Sequence, residues 1–406
     1  MTAASLFQTL RRAAFLALSL LATTPLGSCG GGGATLVAGG VDSGGTGYST
    51  TLVAGPVNGL GSAIVNGVRF DVSTAAIVDE EGNAMSSDQL LMGMMTKIDS
   101  SDVVSANGEM SATASSVLVR SQLVGPVDSV DLASDSLVLL GQAITVTPAT
   151  WIDPALAGGF SAALVGSVVE VYGQFNPHAK HYVATRIALH TDHTAYKICG
   201  LLLSQDMVNS TLNVGGLVVS YAAIAPASMP MLAAGDLVRI RLAIKPVASV
   251  WKALVVAQGH MPLPDRHVVS MTGRISAWTS SRNFSVDGLP VLAPNALFTG
   301  AESGAVLGAR VRVDGASVKG VVNAAAVTIL GDETAAGSLF EVHGAIDTLD
   351  SALQTLSLHG VKLTFSAQTT FQAGTLSDLA VGRKIKAVGP LSADRASVAA
   401  QSITFE

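Results

Sequence analysis

The chain has 406 residues, 49% of them hydrophobic but only 5% aromatic, with 42 glycines and a net charge of −6. Such a composition can build hydrophobic cores and is not that of a disordered chain. Its acidic balance is the opposite of what a phosphate-tracking surface needs, so no nucleic-acid partner is expected.

Residues 1–28 read as a leader. Arg11 and Arg12 give a positive start, and Ala13 to Ala22 give an apolar run too short to span a membrane comfortably. Leu26-Gly27-Ser28-Cys29 follows and resembles a bacterial lipobox. That resemblance implies export, cleavage before Cys29 and lipidation of its thiol, hence a membrane partner through an N-terminal lipid. The alternative is an ordinary secretory signal with an incidental cysteine. Gly30 after the cysteine resembles the outer-membrane sorting default. Cys199 is the one other cysteine, so no intramolecular disulfide is expected once Cys29 is acylated. Residues 29–50 form a tether: nine of the twenty residues from Gly30 to Ser49 are glycine. A coil of this length reaches roughly 25 Å.

From there a glycine-punctuated block recurs five times, over 51–121, 122–190, 195–258, 266–330 and 338–406. Its landmarks Gly55, Gly125, Gly200, Gly273 and Gly344 are spaced 70, 75, 73 and 71 residues apart. Each lies in a strand. Next comes a hairpin whose turn ends in glycine: Asn66-Gly67, Leu140-Gly141, Gly215-Gly216, Asp287-Gly288 and His359-Gly360. Apolar residues stand two and four places before that glycine (Val65 and Ala63, Leu139 and Leu137, Val214 and Leu212, Val286 and Phe284, Leu358 and Leu356). Phe70, Ile144, Val219, Val291 and Leu363 stand three places after it. A two-residue turn pairs the fourth place before with the third after, which predicts one buried face.

Gly93, Gly166, Gly235, Gly308 and Gly382 then open a fourth strand. Its third and fifth places are mostly apolar, and its fourth is always charged: Lys97, Glu170, Arg239, Arg312 and Lys386. Alternation of this kind predicts a half-buried strand with the charge outward. A fifth strand closes each unit, and a helical turn is expected before the fourth, as at Ser161–Leu164. The fold expected is therefore all-β: a tandem array of five small antiparallel barrels of OB type, with strands of about six residues. A five- or six-stranded barrel of another topology is the rival. The uncharged run 207–235 is not read as a membrane helix, because Pro226, Pro230 and Gly215-Gly216 interrupt it. An outer-membrane barrel is set aside because it would need strands of about 9–11 residues with an apolar outer band.

Residues 59–70, with Gly125-Pro126-Val127 and Leu139-Leu140-Gly141-Gln142, resemble a bacterial family of repeated small β-barrel modules, domain of unknown function 5666. The resemblance implies secreted lipoproteins on glycine-rich tethers. It supplies no activity and no site residues. Unit three departs from the pattern by lacking the glycine found at Gly173, Gly315 and Gly389.

Candidate chemistry is sparse. His178, His181, His190 and His193 form two His-x-x-His pairs that could suggest a metal. The intervening strand would hold the pairs roughly 26 Å apart, so solvated loop histidines are the plainer reading. Cys199 reads as a small packed residue. Asp79-Glu80-Glu81, with Asp71 and Asp88, reads as a solvated acidic turn. There is no Gly-x-Ser-x-Gly elbow, Walker loop or His-Glu-x-x-His motif, and no cofactor is expected. Units one and two carry −5 and −3, units three and four +3 each. Arg239/Arg241 and Arg310/Arg312 alternate along their strands, and a basic mid-section of this kind could meet anionic envelope polymer or an acidic partner.

The expectation is a non-enzymatic lipoprotein of the cell envelope, on the outer membrane, that binds or scaffolds a glycan or protein. The alternatives are an enzyme or ligand-processing module with a site between barrels, and a small-ligand or metal-binding module.

Overall fold

A computed structural model describes residues 50–192, 194–260, 263–331 and 338–406. The leader 1–28, Cys29, the tether up to Ser49 and His193 lie outside them. Each of the five repeats is a barrel. In module two the strands are Leu123–Asp131, Ser136–Leu139, Gln142–Ile152, Val168–Asn176 and His181–Leu189. The first pairs with the second, the second with the third, the third in parallel with the fifth, the fifth with the fourth and the fourth with the first. This cyclic order is that of an OB-type Greek key, and the other modules repeat it. A single 3-10 turn precedes every fourth strand: Ser87–Gln89, Ala162–Leu164, Pro226–Ser228, Glu302–Gly304 and Leu376–Asp378. The run 207–235 is a hairpin and connector, and no described helix is long and apolar enough to cross a membrane.

The hairpin register is the one the turns dictate: Ala63↔Phe70, Leu137↔Ile144, Leu212↔Val219, Phe284↔Val291 and Leu356↔Leu363. All ten side chains are buried, as are both inward places of every fourth strand. Strand length departs from expectation. Several strands exceed six residues, reaching 15 in Arg266–Ser280 and 11 in Glu109–Val119. A small barrel needs only short strands; the first of these pairs beyond its own barrel, and the second bends to serve two edges of its own.

The two glycine landmarks of a module turn out to be one contact. The turn residue before the second glycine is left-handed, with φ of 53° at Asn66, 48° at Leu140, 48° at Asp287 and 49° at His359. Its side chain folds back onto the bare face of the first-strand glycine. A Cβ on Gly55 would stand 2.8 Å from Asn66 Oδ1, and one on Gly273 would stand 2.3 Å from Asp287 Oδ2. Only glycine leaves that space. Module three has Gly215 at the turn and so no side chain to offer. Gln142 of module two fills the gap, donating from Nε2 to Val214 O at 2.9 Å.

The modules do not lie as beads on a string. Modules one and five share one core, to which module two lends Trp151 and Tyr172. Modules two and three share a second, and module four holds a third that includes Leu52 of module one. The first strands of modules one and four pair in parallel, Thr51↔Val268 to Ala54↔Met271. Gly59-Leu60 pairs in parallel with Glu341-Val342 of module five. Lys197 pairs with Val124, which joins modules two and three into one ten-stranded sheet.

Asp287 is the only carboxylate among the five turn residues. Burial raises its pKa to about 6, against the pull of the Arg274 amide that donates to Oδ1 at 3.1 Å. A carboxyl whose folded pKa is raised favours folding while protonated, below about 3.8, and loses that benefit as pH climbs through about 6. Asn66 shows that an amide fits the same place. Asp287→Asn should therefore raise stability at pH 7 by up to ~3 kcal/mol and leave it unchanged near pH 3.5. Urea unfolding at the two pH values checks this; an equal effect at both would refute the burial argument.

Candidate functional site

A cavity of about 600 Å³ opens where modules one, two and three meet. Its floor is the face of the ten-stranded sheet. Glu170, Val124, Lys197 and Arg241 stand in register across four adjacent strands and so project to the same side. A carboxylate at one end and two cations at the other are thus separated by sheet spacing, roughly 10–15 Å. The opposite wall is the Asp79–Gln89 segment of module one. Tyr172 and Tyr196 bring aromatic rings, and His190 and Asp192 stand on the connector between modules two and three.

Between this floor and the module-one wall lies a buried ion-pair cluster. Glu80, with 8% of its side chain exposed, receives Lys197, Arg239 and Arg120, the last at 3.4 Å. Lys197 also lies 3.7 Å from Glu81. Arg239 continues to Ser121 O at 2.9 Å and Gln122 Oε1 at 3.1 Å, and Arg120 to Gly259 O at 2.7 Å. Glu80 is therefore not solvated, contrary to the sequence reading, whereas Asp71, Glu81 and Asp88 of the same acidic group are exposed, in keeping with it. A local window cannot show that a turn of module one is capped by cations over a hundred residues away.

At the other end of the floor, burial pushes the Glu170 carboxyl up, but the neighbouring His190 and the charge of Lys197 outweigh it. The net pKa lies below the ordinary value, so Glu170 is ionised. His190 Nδ1 stands 3.7 Å from Glu170 Oε2. Burial, then the Glu170 charge, holds Tyr172 well above its ordinary pKa, so it remains a neutral hydroxyl. The cavity thus offers an ionised acceptor, neutral hydroxyl groups and guanidinium and ammonium donors within one span.

The structure separates the histidines. His178 lines a second cavity of about 330 Å³ with Arg274 and Arg310, at the far end of the strand that leads to His190. His181 has its pKa lowered by burial and then by the Arg274 charge. No group of three or more metal-ligating side chains occurs among the described residues. The four arginines also divide. Arg241 is exposed at the first cavity, Arg239 is committed to Glu80, Arg310 lines the second cavity, and Arg312 pairs with Asp314 at 3.1 Å. They do not form a single surface. Cys199 is buried in the core shared by modules two and three, and its carbonyl accepts from Tyr182 Oη.

Sequence reasoning misread Glu80 as solvated and missed Arg120 and Lys197, although a signal existed. The acidic excess of module one and the basic excess of modules three and four are complementary, and Arg266–Asp99 at 2.7 Å joins modules four and one in the same way.

Residues 124–188 and 343–404, within modules two and five, match the model of a family described as Domain of unknown function (DUF5666). No curated protein matches the chain. The matched segments supply six of the ten strands of those two barrels in full, each fifth strand up to its last residue, most of the first strand of module two and the end of that of module five.

Glu80→Gln would take the shared, buried carboxylate from Lys197, Arg239 and Arg120. It should cost about 3–5 kcal/mol, the usual penalty for breaking a buried pair, where a solvated turn would cost less than about 0.5 kcal/mol. Chemical denaturation distinguishes the two.

Proposed function

We propose that this is a non-enzymatic binding and scaffolding protein of the cell envelope, exported and held at the outer membrane through a lipid on Cys29. Its partner is a glycan or a protein, and the seam cavity favours a glycan. The observation that carries this reading is the composition of that cavity. Five carboxylates (Asp79, Glu80, Glu81, Glu170 and Asp192) face Lys197 and Arg241, with Arg120 and Arg239 behind Glu80. Charge is thus nearly balanced and much of it already paired. A strongly charged ligand would have to break those pairs, whereas a neutral hydroxyl-rich one can accept from Arg241 and Tyr196 and donate to Glu170 and Glu81. The volume lies within the range of roughly 300–1,000 Å³ found for small-molecule sites.

An enzymatic role is the second reading, favoured by the ionised Glu170 beside His190 and the neutral Tyr172 hydroxyl in the same cavity. Residues 30–406, incubated with purified peptidoglycan and with surface polysaccharide, separate the two readings. Binding is expected to retain the protein and release no soluble fragments; fragments would make it an enzyme. Arg241→Ala with Glu81→Ala, both exposed, should weaken retention at least about tenfold, the scale of a lost charged hydrogen bond. Retention by neither polymer would count against a glycan partner. For anchoring, Cys29→Ala should move the protein from the membrane to the soluble fraction, and unchanged fractionation would refute lipidation.

A further inference from the structure

Module three carries two hairpin tips that stand side by side. The first strand, Tyr196–Asp206, turns at Met207–Ser210 into Thr211–Val214. The fourth, Leu237–Leu242, returns as Trp251–Gln258. Thr211 pairs with Ser220 and Ser220 with Lys252, so the two tips are bridged by a single intervening strand, about 10 Å across.

Both tips end in bare apolar side chains. Met207 is 79% exposed, Val208 92% and Val247 76%. Both are also stiff. Asp206 Oδ1 accepts from the amides of Val208 at 2.9 Å and Asn209 at 3.0 Å. At the other tip Ala248 and Ser249 are both left-handed, and Val247 and Val250 exchange backbone hydrogen bonds of 2.9 and 3.0 Å, a type I′ turn. Flexible polar residues would suit a solvated turn; here two rigid turns hold large apolar groups in water. Lys245 and Lys252, both exposed, flank them on a module whose net charge is +3. The one acid at the rim, Asp206, is engaged by its own turn.

We propose that this rim docks onto an anionic lipid surface, with Met207, Val208 and Val247 entering the headgroup region and Lys245 and Lys252 meeting lipid phosphates. A protein partner fits less well. Protein interfaces draw their energy from Trp, Tyr and Arg in concave, packed sites and are depleted of lysine. Convex tips of Met and Val ringed by lysine match an acyl boundary under anionic headgroups. The equivalent first tip of module two also exposes Leu132, at 54%, but its neighbour is the Asp135–Arg395 ion pair and not a lysine.

Residues 30–406, free of any lipid, test this by co-sedimentation with vesicles of phosphatidylcholine alone or mixed with phosphatidylglycerol. Binding is expected to the mixed vesicles only and to fall as salt rises. Lys245→Gln with Lys252→Gln should weaken it roughly tenfold or more, as two lost lysine contacts would. Met207→Ser/Val208→Ser/Val247→Ser should abolish it. Because these side chains face water, both variants should keep the parent melting temperature, which verifies the fold. Failure of the parent protein to sediment with mixed vesicles overturns the proposal. So does equal binding by the triple variant, or equal binding to both kinds of vesicle.

Discussion

Everything in this architecture depends on one close approach, repeated in each barrel. The first strand must bend to serve two edges, pairing with the fourth strand at one end and the second at the other. A bend that tight brings the hairpin turn down onto the strand, and the first-strand glycine provides the space. The turn residue fills it: Asn66, Leu140, Asp287 or His359. Where module three offers only Gly215, Gln142 from the neighbouring barrel enters instead and donates to Val214 O. A closure device inside one barrel thereby becomes a joint between two.

Interlocking follows from the fourth strand. Its inward places build the cores, so its middle charge faces out, and most of those charges meet other modules. Arg239 reaches Glu80 of module one, Lys386 reaches Glu109 of module one at 3.0 Å, and Glu170 stands in the seam cavity. Arg312 departs from this pattern, pairing with Asp314 on its own strand. Module one is the hub. Besides its strand pairings with modules four and five, it accepts hydrogen bonds from module two at Gly93 O, 2.6 Å from Thr185 Oγ1.

Much of a single barrel was legible in the sequence. The turn glycines set the register, and period-two alternation identified the inner face at all five fourth strands. Both signals are local, because a type I′ turn and a half-buried strand impose their chemistry on adjacent residues. What lay beyond reach was which barrel touches which. Glu80 looks like part of a solvated acidic turn because Lys197 and Arg239 are 117 and 159 positions away. The complementary charges of modules one and three were visible only as totals. The cavity was illegible for the same reason, since its walls come from three repeats and no one of them holds a motif.

The same interlock explains why charge was used where apolar contact would stabilise as well. Buried ion pairs add little net stability, since desolvation offsets their attraction. Five barrels with nearly identical strand order could dock in many permutations on apolar edges alone. Placing Glu80 against Lys197 and Arg239 leaves an unpaired buried charge in each wrong arrangement, and the half-buried pair Asp99–Arg266 and the more exposed pairs Glu109–Lys386 and Asp135–Arg395 add weaker preferences. The pairs therefore act as addresses, choosing one arrangement of the repeats. A cavity walled by modules one, two and three exists only in that arrangement, so the charges that select it also create the site.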